Sequence, residues 1–266
     1  MGAATVNQGI TPAGPPPGKP AGKPGEISTA DSPVKSARKI LVIDVGGTHV
    51  KILATGQEVP LRTESGPDMT PAMMVKWVKE AAKDWSYDVI SIGYPGPVVH
   101  GRPVHEPFHL AKGWMEFNFA KAFGCPVKLI NDAAMQALGS YEGRRMLFLG
   151  LGTGLGSAMV ADGILEPMEL AHLPYKNGKT YEDFLGLRGL ERLGKKKWRR
   201  YVEKVVDCLR DGLEAEYVVL GGGNSKKIKK LPAKTRLGKN DNAFVGGFRL
   251  WSEAGKTGGV HRFLSR

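Results

Sequence analysis

The 266 residues suffice for one large domain or two modest lobes around a cleft, and 41% hydrophobic with 8% aromatic residues supports a true core. No apolar run reaches the ~18 residues of a membrane span, MGAATVNQGI does not read as a secretory leader, and two cysteines, Cys125 and Cys208, argue against a disulfide framework or a Cys-rich zinc site. A reducing cytoplasm is the expected setting, and a net charge of +12 suits a polyanion (nucleic acid, acidic membrane or a chain of phosphates) as well as a merely soluble basic protein.

Residues 1–36, built around PAGPPPGKPAGKPG, bury too little apolar surface to offset their ordering entropy, so a disordered tail is expected there. Order begins at RKILVIDVGGTHVKILAT, read as an apolar strand, a glycine turn and a second strand. Thr70 and Pro71 open a helix over 70–85, and DVISIGYPGPV is a strand ending in a Pro/Gly turn. A loop rich in proline and histidine follows, then a helix in WMEFNFAKAF, the strand PVKLI and a helix from Asn131 through Gly139. The opening pattern then returns: LFLGLGTGLGSAMV echoes LVIDVGGTHVKIL about 107 residues later, which suggests two similar α/β lobes with a cleft between them. A basic helix near 195–211, the strand YVVLGGG and a last helix from about residue 241 complete the chain.

Both DVGGTH and GTGLG set glycines at a strand-to-strand turn, where no side chain blocks an oxygen from the backbone amides, and Thr48 and Thr153 add hydroxyl donors. Ordinary hairpins also need glycine, but a pair echoed in two halves points to phosphate binding. No GxGxxG stands between a strand and a helix, so no dinucleotide fold is expected. Asp44, just before the first turn, suits a Mg²⁺ ion or its bound water, or else the turn's own amides. The third turn, GGGNSKKIKK, leads into a candidate helix with Lys226, Lys229 and Lys230 on one face, either a phosphate track or a solvated surface.

Asp132 follows the strand in LINDA at a helix start. It reads either as a cap or as the carboxylate that accepts a hydroxyl proton in phosphoryl transfer, with Asn131, Glu169 and His172 able to grip hydroxyls. His100, His105 and His109 fall in a loop of prolines and glycines that sets up no helical ligand pair, and no cysteine lies near them.

DVGGTHVK, GYPGPVVHG, LINDA, FLGLGTGLGSAMVADGILEPMELAHL and VVLGGGNSKK, in that order from about Lys39 to Trp251, resemble the ROK sugar kinases, and among them most closely the polyphosphate glucokinases. Ser157, the compact EPMELAHL and the missing cysteine zinc motif are similar to the polyphosphate-using branch. The resemblance implies an α/β, two-lobed actin-like ATPase (ribonuclease H-like) sugar kinase fold with an interlobe cleft. Its N-terminal lobe would span 37–142, completed by a C-terminal helix over 242–260, and its C-terminal lobe 143–241. It further implies Asp44 near the metal, and donor contacts from Gly46, Gly47, Thr48, Lys51, Gly152, Thr153, Gly154, Gly221, Gly222 and Gly223. Asp132 is the implied general base, and Pro95, Gly96, Asn131, Glu169, His172 and Glu182 the implied surroundings of the sugar.

Three positions depart from the family: His109 stands for an Asn, Ala171 for a Gly, and Asn224 for an apolar residue. The expected function is transfer of a terminal phosphoryl group from polyphosphate, ATP or both to the 6-hydroxyl of glucose or a similar hexose, with Mg²⁺. The alternative is a sugar- or polyphosphate-binding or regulatory relative without kinase activity. A repressor of this family would carry a DNA-binding helical domain where the Pro/Gly-rich stretch stands, so neither nucleic acid nor membrane is an expected partner. Family members often pair as dimers, and the sequence admits a homodimer without a surface that demands one.

Overall fold

The computed structural model describes residues 38–239 and 241–251. The tail expected over 1–36, and the part of the last expected helix beyond 251, lie outside them.

Strand β1 (Ile40–Val45) is buried along nearly its whole length because it lies at the centre of a sheet covered on both faces. It turns antiparallel into β2 (His49–Ala54), where buried and partly buried residues alternate, and β3 (Leu61–Glu64) adds at the edge. Helix α1 (Pro71–Ala81) begins where the Thr70 hydroxyl accepts from the Met73 amide and Pro71 fills the first turn. Strand β4 (Val89–Tyr94) pairs parallel to β1, and a short hairpin of β5 (Val98–Val99) and β6 (Arg102–Pro103) follows. Helix α2 (Phe119–Phe123) then leads to β7 (Val127–Asn131), parallel to β4. The helix expected from Trp114 is limited to α2 because Asn118 caps the amide of Lys121 and sets the start at Phe119.

Helix α3 (Asp132–Ser140) is capped by Asn131. The meander β8 (Arg145–Leu151), β9 (Leu155–Ala161) and β10 (Ile164–Met168) follows, then the hairpin β11 (Pro174–Lys176) and β12 (Lys179–Thr180). Helix α4 (Tyr181–Leu185) carries a capping box between Thr180 and Asp183. The run α5 (Leu187–Gly212) starts before the expected basic helix and breaks at Gly194, whose φ of 70° is outside helical geometry. Strands β13 (Tyr217–Gly221) and β14 (Thr235–Leu237) and helix α6 (Asn242–Arg249) complete the order.

The sequence echo is a repeated sheet. The first runs β3-β2-β1-β4-β7 and the second β10-β9-β8-β13-β14, each with an antiparallel meander on one side of its central strand and parallel strands on the other. Helices α3 and α6 pack between them, so one apolar cluster joins Val42 and Val89 of the first sheet to Phe148 and Val160 of the second. The opposite faces carry α1 and α2 on one sheet, α4 and α5 on the other. The α3–α6 crossing is tight: a Cβ on Gly139 would lie 1.8 Å from the Asn242 carbonyl oxygen. The boundary expected at 142/143 falls in the connection from α3 to β8.

Candidate active site

Because β1, β4 and β7 run parallel, their C-terminal ends share one sheet edge. That edge presents Asp44 with the Gly46–Gly47–Thr48 turn, the Pro95–Gly96 turn, and Asn131–Asp132. The corresponding edge of the second sheet presents the Gly152–Thr153–Gly154 turn after β8 and Gly222–Gly223 after β13.

Two glycines let the first turn of α3 in between the sheets. A Cβ on Gly93 would meet the Met135 methyl at 2.4 Å and the Asp132 Cα at 3.5 Å, and one on Gly156 would meet the Ala133 Cβ at 2.7 Å. Asp132 therefore lies where both sheets converge. Burial pushes its carboxyl up to about 7, helped by the negative charges of Asp44 and Glu169 and opposed by the Ala133 amide, which donates to Oδ1 at 2.7 Å. Burial likewise raises Asp44, and Lys51 at 3.7 Å opposes the shift. Glu169 is raised by burial and by Glu182, against the lowering influence of His172 and His105. Lys51 thus serves as the counter-ion of Asp44. A carboxyl with its pKa near neutrality can accept a proton at physiological pH and release it again.

The glycine turns work through space rather than unusual torsions, since Gly46, Gly47, Gly152 and Gly154 all avoid positive φ. A Cβ would lie 3.0 Å from the His49 carbonyl oxygen at Gly46, 3.1 Å from the His109 Cβ at Gly47, and 2.4 Å from Glu182 Oε2 at Gly154. Among the described residues the amides of Gly47, Thr48, Thr153 and Gly154 have no hydrogen-bond acceptor, so each turn offers two successive N–H groups to an anion. In the third turn Gly221 is pressed against the Phe148 ring, and Gly222, with φ of 76°, lies where a Cβ would strike the Leu151 backbone at 2.6 Å. Gly223 faces open space. The helix expected beyond it is a single 3-10 turn over Ser225–Lys227, so Lys226, Lys229 and Lys230 do not line one helical face.

Asn131 is engaged on both sides: Oδ1 accepts from the Ala134 amide at 3.0 Å, and Nδ2 donates to the Gly96 carbonyl at 3.1 Å, tying the Pro95–Gly96 turn to α3. Glu182 accepts from the Leu155 amide at 3.2 Å and from Arg188 at 3.1 Å, which fixes α4 to the second glycine turn. Half-exposed Glu169 and exposed His172 are neighbours, 4.0 Å apart between Oε2 and Nε2. Ser157, buried on β9, donates to the Met168 carbonyl at 2.8 Å and accepts from the Leu170 amide at 3.1 Å, pinning the backbone on both sides of Glu169.

The three unusual positions all have a place. His109 lies over Gly47, its ring edge-on to Phe108. Ala171 is buried behind the Glu169–His172 turn. Asn224 is buried and donates to the Gly152 carbonyl at 2.9 Å, bridging the second and third glycine turns. Sequence reasoning did not find Ser157 as the anchor of Glu169, or the packing roles of Gly93 and Gly156; the last two sit inside motifs already singled out, GYPGP and GTGLG.

Asp44 is the expected metal residue, and among the described residues no three His, Cys, Asp or Glu side chains form a cage. One partly buried carboxylate beside open turns fits Mg²⁺, which keeps most of its water and takes one or two carboxylates plus phosphate oxygens.

Residues 40–167 match the ROK family. The polyphosphate glucokinase of Mycobacterium tuberculosis is 28% identical over 71% of this chain and 78% of its own length. The inorganic polyphosphate/ATP-glucomannokinase of Arthrobacter sp. strain KM superposes with a TM-score of 0.68 at 24% identity, covering 80% of this chain and 98% of its own. A ROK family glucokinase of Streptomyces griseus, solved with glucose and AMPPNP, also gives 0.68, at 15% identity over 80% of this chain and 98% of its own. The resemblance to ROK sugar kinases carried by the motifs is borne out, and the fold is the actin-like α/β architecture of these neighbours.

Proposed function

From a chain whose residues 40–167 match the ROK family, we propose a sugar kinase that transfers the terminal phosphoryl group of inorganic polyphosphate, ATP or both to the 6-hydroxyl of glucose or a similar hexose. The observation that carries this reading is Asp132, a carboxyl near pKa 7 at the convergence of two sheets whose glycine turns each leave amides unpaired. The names of the Mycobacterium tuberculosis, Arthrobacter and Streptomyces griseus relatives support the donor and acceptor classes.

In this mechanism Asp132 accepts the proton of the hexose hydroxyl as the hexose oxygen attacks the terminal phosphorus in line and the bridging P–O bond breaks, releasing ADP or a polyphosphate shorter by one unit. The amides of Gly47, Thr48, Thr153 and Gly154 hold donor oxygens, and Gly223 leaves room for the rest of the donor. Asp44 would hold Mg²⁺, which supplies charge neutralisation on those oxygens, while Lys51 balances Asp44. Glu169 and His172 grip acceptor hydroxyls, with the Pro95–Gly96 turn held in place by Asn131, and Glu182 supports them from the second turn. The two sheets, divided near residue 142, act as lobes that close to exclude water. Free thiols at Cys125 and Cys208 support a reducing, cytoplasmic setting.

The test pairs turnover with binding. Asp132→Asn should lose hexose phosphate formation by at least about a hundredfold yet still gain thermal stability from glucose and from donor. An Asp132→Asn protein that turns over like wild type refutes the assigned base. A wild-type protein that binds hexose without phosphorylating it favours a non-catalytic relative.

A further inference from the structure

Lys227 is the one lysine of the Lys226–Lys230 run that the structure holds. Its Nζ donates to Asn224 Oδ1, and its carbonyl accepts from Arg199 Nε of α5 at 2.6 Å. Lys226, Lys229 and Lys230 are exposed, whereas Lys227 is partly buried. The same Asn224 donates through Nδ2 to the Gly152 carbonyl, and its backbone amide donates to the Leu151 carbonyl at 2.8 Å. One buried amide side chain therefore fastens the third glycine turn to the second and holds an ammonium group beside both. No ion pair involves Lys227 among the described residues, so its charge has only a neutral amide oxygen as partner.

We propose that Asn224 and Lys227 form a donor clamp, in which Lys227 contacts a phosphate oxygen of the phosphoryl donor and Asn224 is the positioning residue that aims it. An ammonium has three N–H groups, and Asn224 takes one, leaving two for the donor. A phosphate there supplies the compensating charge that the protein does not. An apolar side chain at position 224 could make neither bond. Arg199 joins Lys227 to α5, where the exposed Lys195, Lys196 and Arg200 lie within about one helical turn of it, and that added positive charge suits a donor longer than a single phosphate.

The proposal rests on the kinase reading, and its test separates the two. Lys227→Met and Asn224→Ala are compared with Lys76→Met, an exposed lysine on α1, for hexose phosphorylation by the full chain. Acetylation footprinting of Lys227, with polyphosphate as the probe, is run beside it. The clamp predicts a donor KM raised about tenfold to a hundredfold in Lys227→Met, with the hexose KM and the Lys76→Met protein unchanged. It also predicts that polyphosphate protects Lys227, and that Asn224→Ala speeds acetylation of Lys227 in the absence of donor. A Lys227→Met donor KM equal to that of wild type overturns it. Should wild type make no sugar phosphate, the kinase reading fails by itself and the footprint decides: protection of Lys227 upholds a polyanion clamp, and none overturns it.

Discussion

Replacing Asp132 by Asn removes one ionisation at the centre of the molecule and leaves its shape nearly unchanged. Folding raises this carboxyl from 3.8 to about 7. A raised folded pKa means that the native protein binds the proton more tightly than the unfolded chain, so the stability it contributes is present at low pH and is lost as pH rises through 7. Between pH 5 and pH 8 that contribution falls by about 2 kcal/mol, after allowance for the solvent that still reaches the side chain. Asp44 and Glu169, whose carboxyls burial also raises, are present in both proteins. The comparison between variant and wild type therefore reports the ionisation of Asp132 together with its coupling to Asp44 and Glu169. Urea unfolding at pH 5 and at pH 8 should show the stability advantage of Asp132→Asn widening by about 2 kcal/mol at the higher pH, equivalent to roughly 4–8 °C in Tm. The activity of wild type should rise with pH through the same range, because only the ionised carboxylate accepts a proton. A stability gap that stays flat or narrows shows that Asp132 is ionised in the fold at pH 5, an ordinary capping carboxylate at the start of α3.

Gly139→Ala should destabilise by about 3 kcal/mol or more in urea unfolding, since its Cβ would overlap the Asn242 carbonyl across the α3–α6 crossing; a near-neutral effect refutes that packing. Ser157→Ala should raise the hexose KM about tenfold while leaving the donor KM alone, because it frees the backbone on both sides of Glu169. Equal changes in both constants contradict that assignment. Gly222→Ala should cost about 2 kcal/mol or more, measured as a fall in Tm, through its positive φ and the Leu151 backbone beside it.

The alternation in HVKILA and the apolar run ILVIDV give their strands locally, and Thr70–Pro71 gives its helix start, so the elements were legible from neighbours in sequence. The echo of DVGGTHVK in GTGLGSAMV announced the second sheet because each copy repeats the same strand–turn–strand unit. The helix starting at Trp114 misled: its apolar spacing reflects a buried indole in the first sheet's core, and Asn118 sets the real start. LINDA placed Asp132 at a strand end and helix start, but not its pKa, which depends first on burial between the sheets and then on Asp44, 88 positions earlier, and Glu169, 37 positions later. Asn224 looked like an odd residue because its partner, the Gly152 carbonyl, lies 72 positions away. Glu182 is similar: from sequence it was one more acid near the sugar, whereas its carboxylate holds the Leu155 amide of the second glycine turn.

Phosphoryl transfer to a hexose is read out by ³¹P NMR of wild-type protein with glucose, Mg²⁺ and either polyphosphate or ATP. A sugar 6-phosphate resonance should grow with at least one donor and be absent from the Asp132→Asn sample. Consumption of neither donor, with glucose and a panel of other hexoses, would refute a sugar kinase.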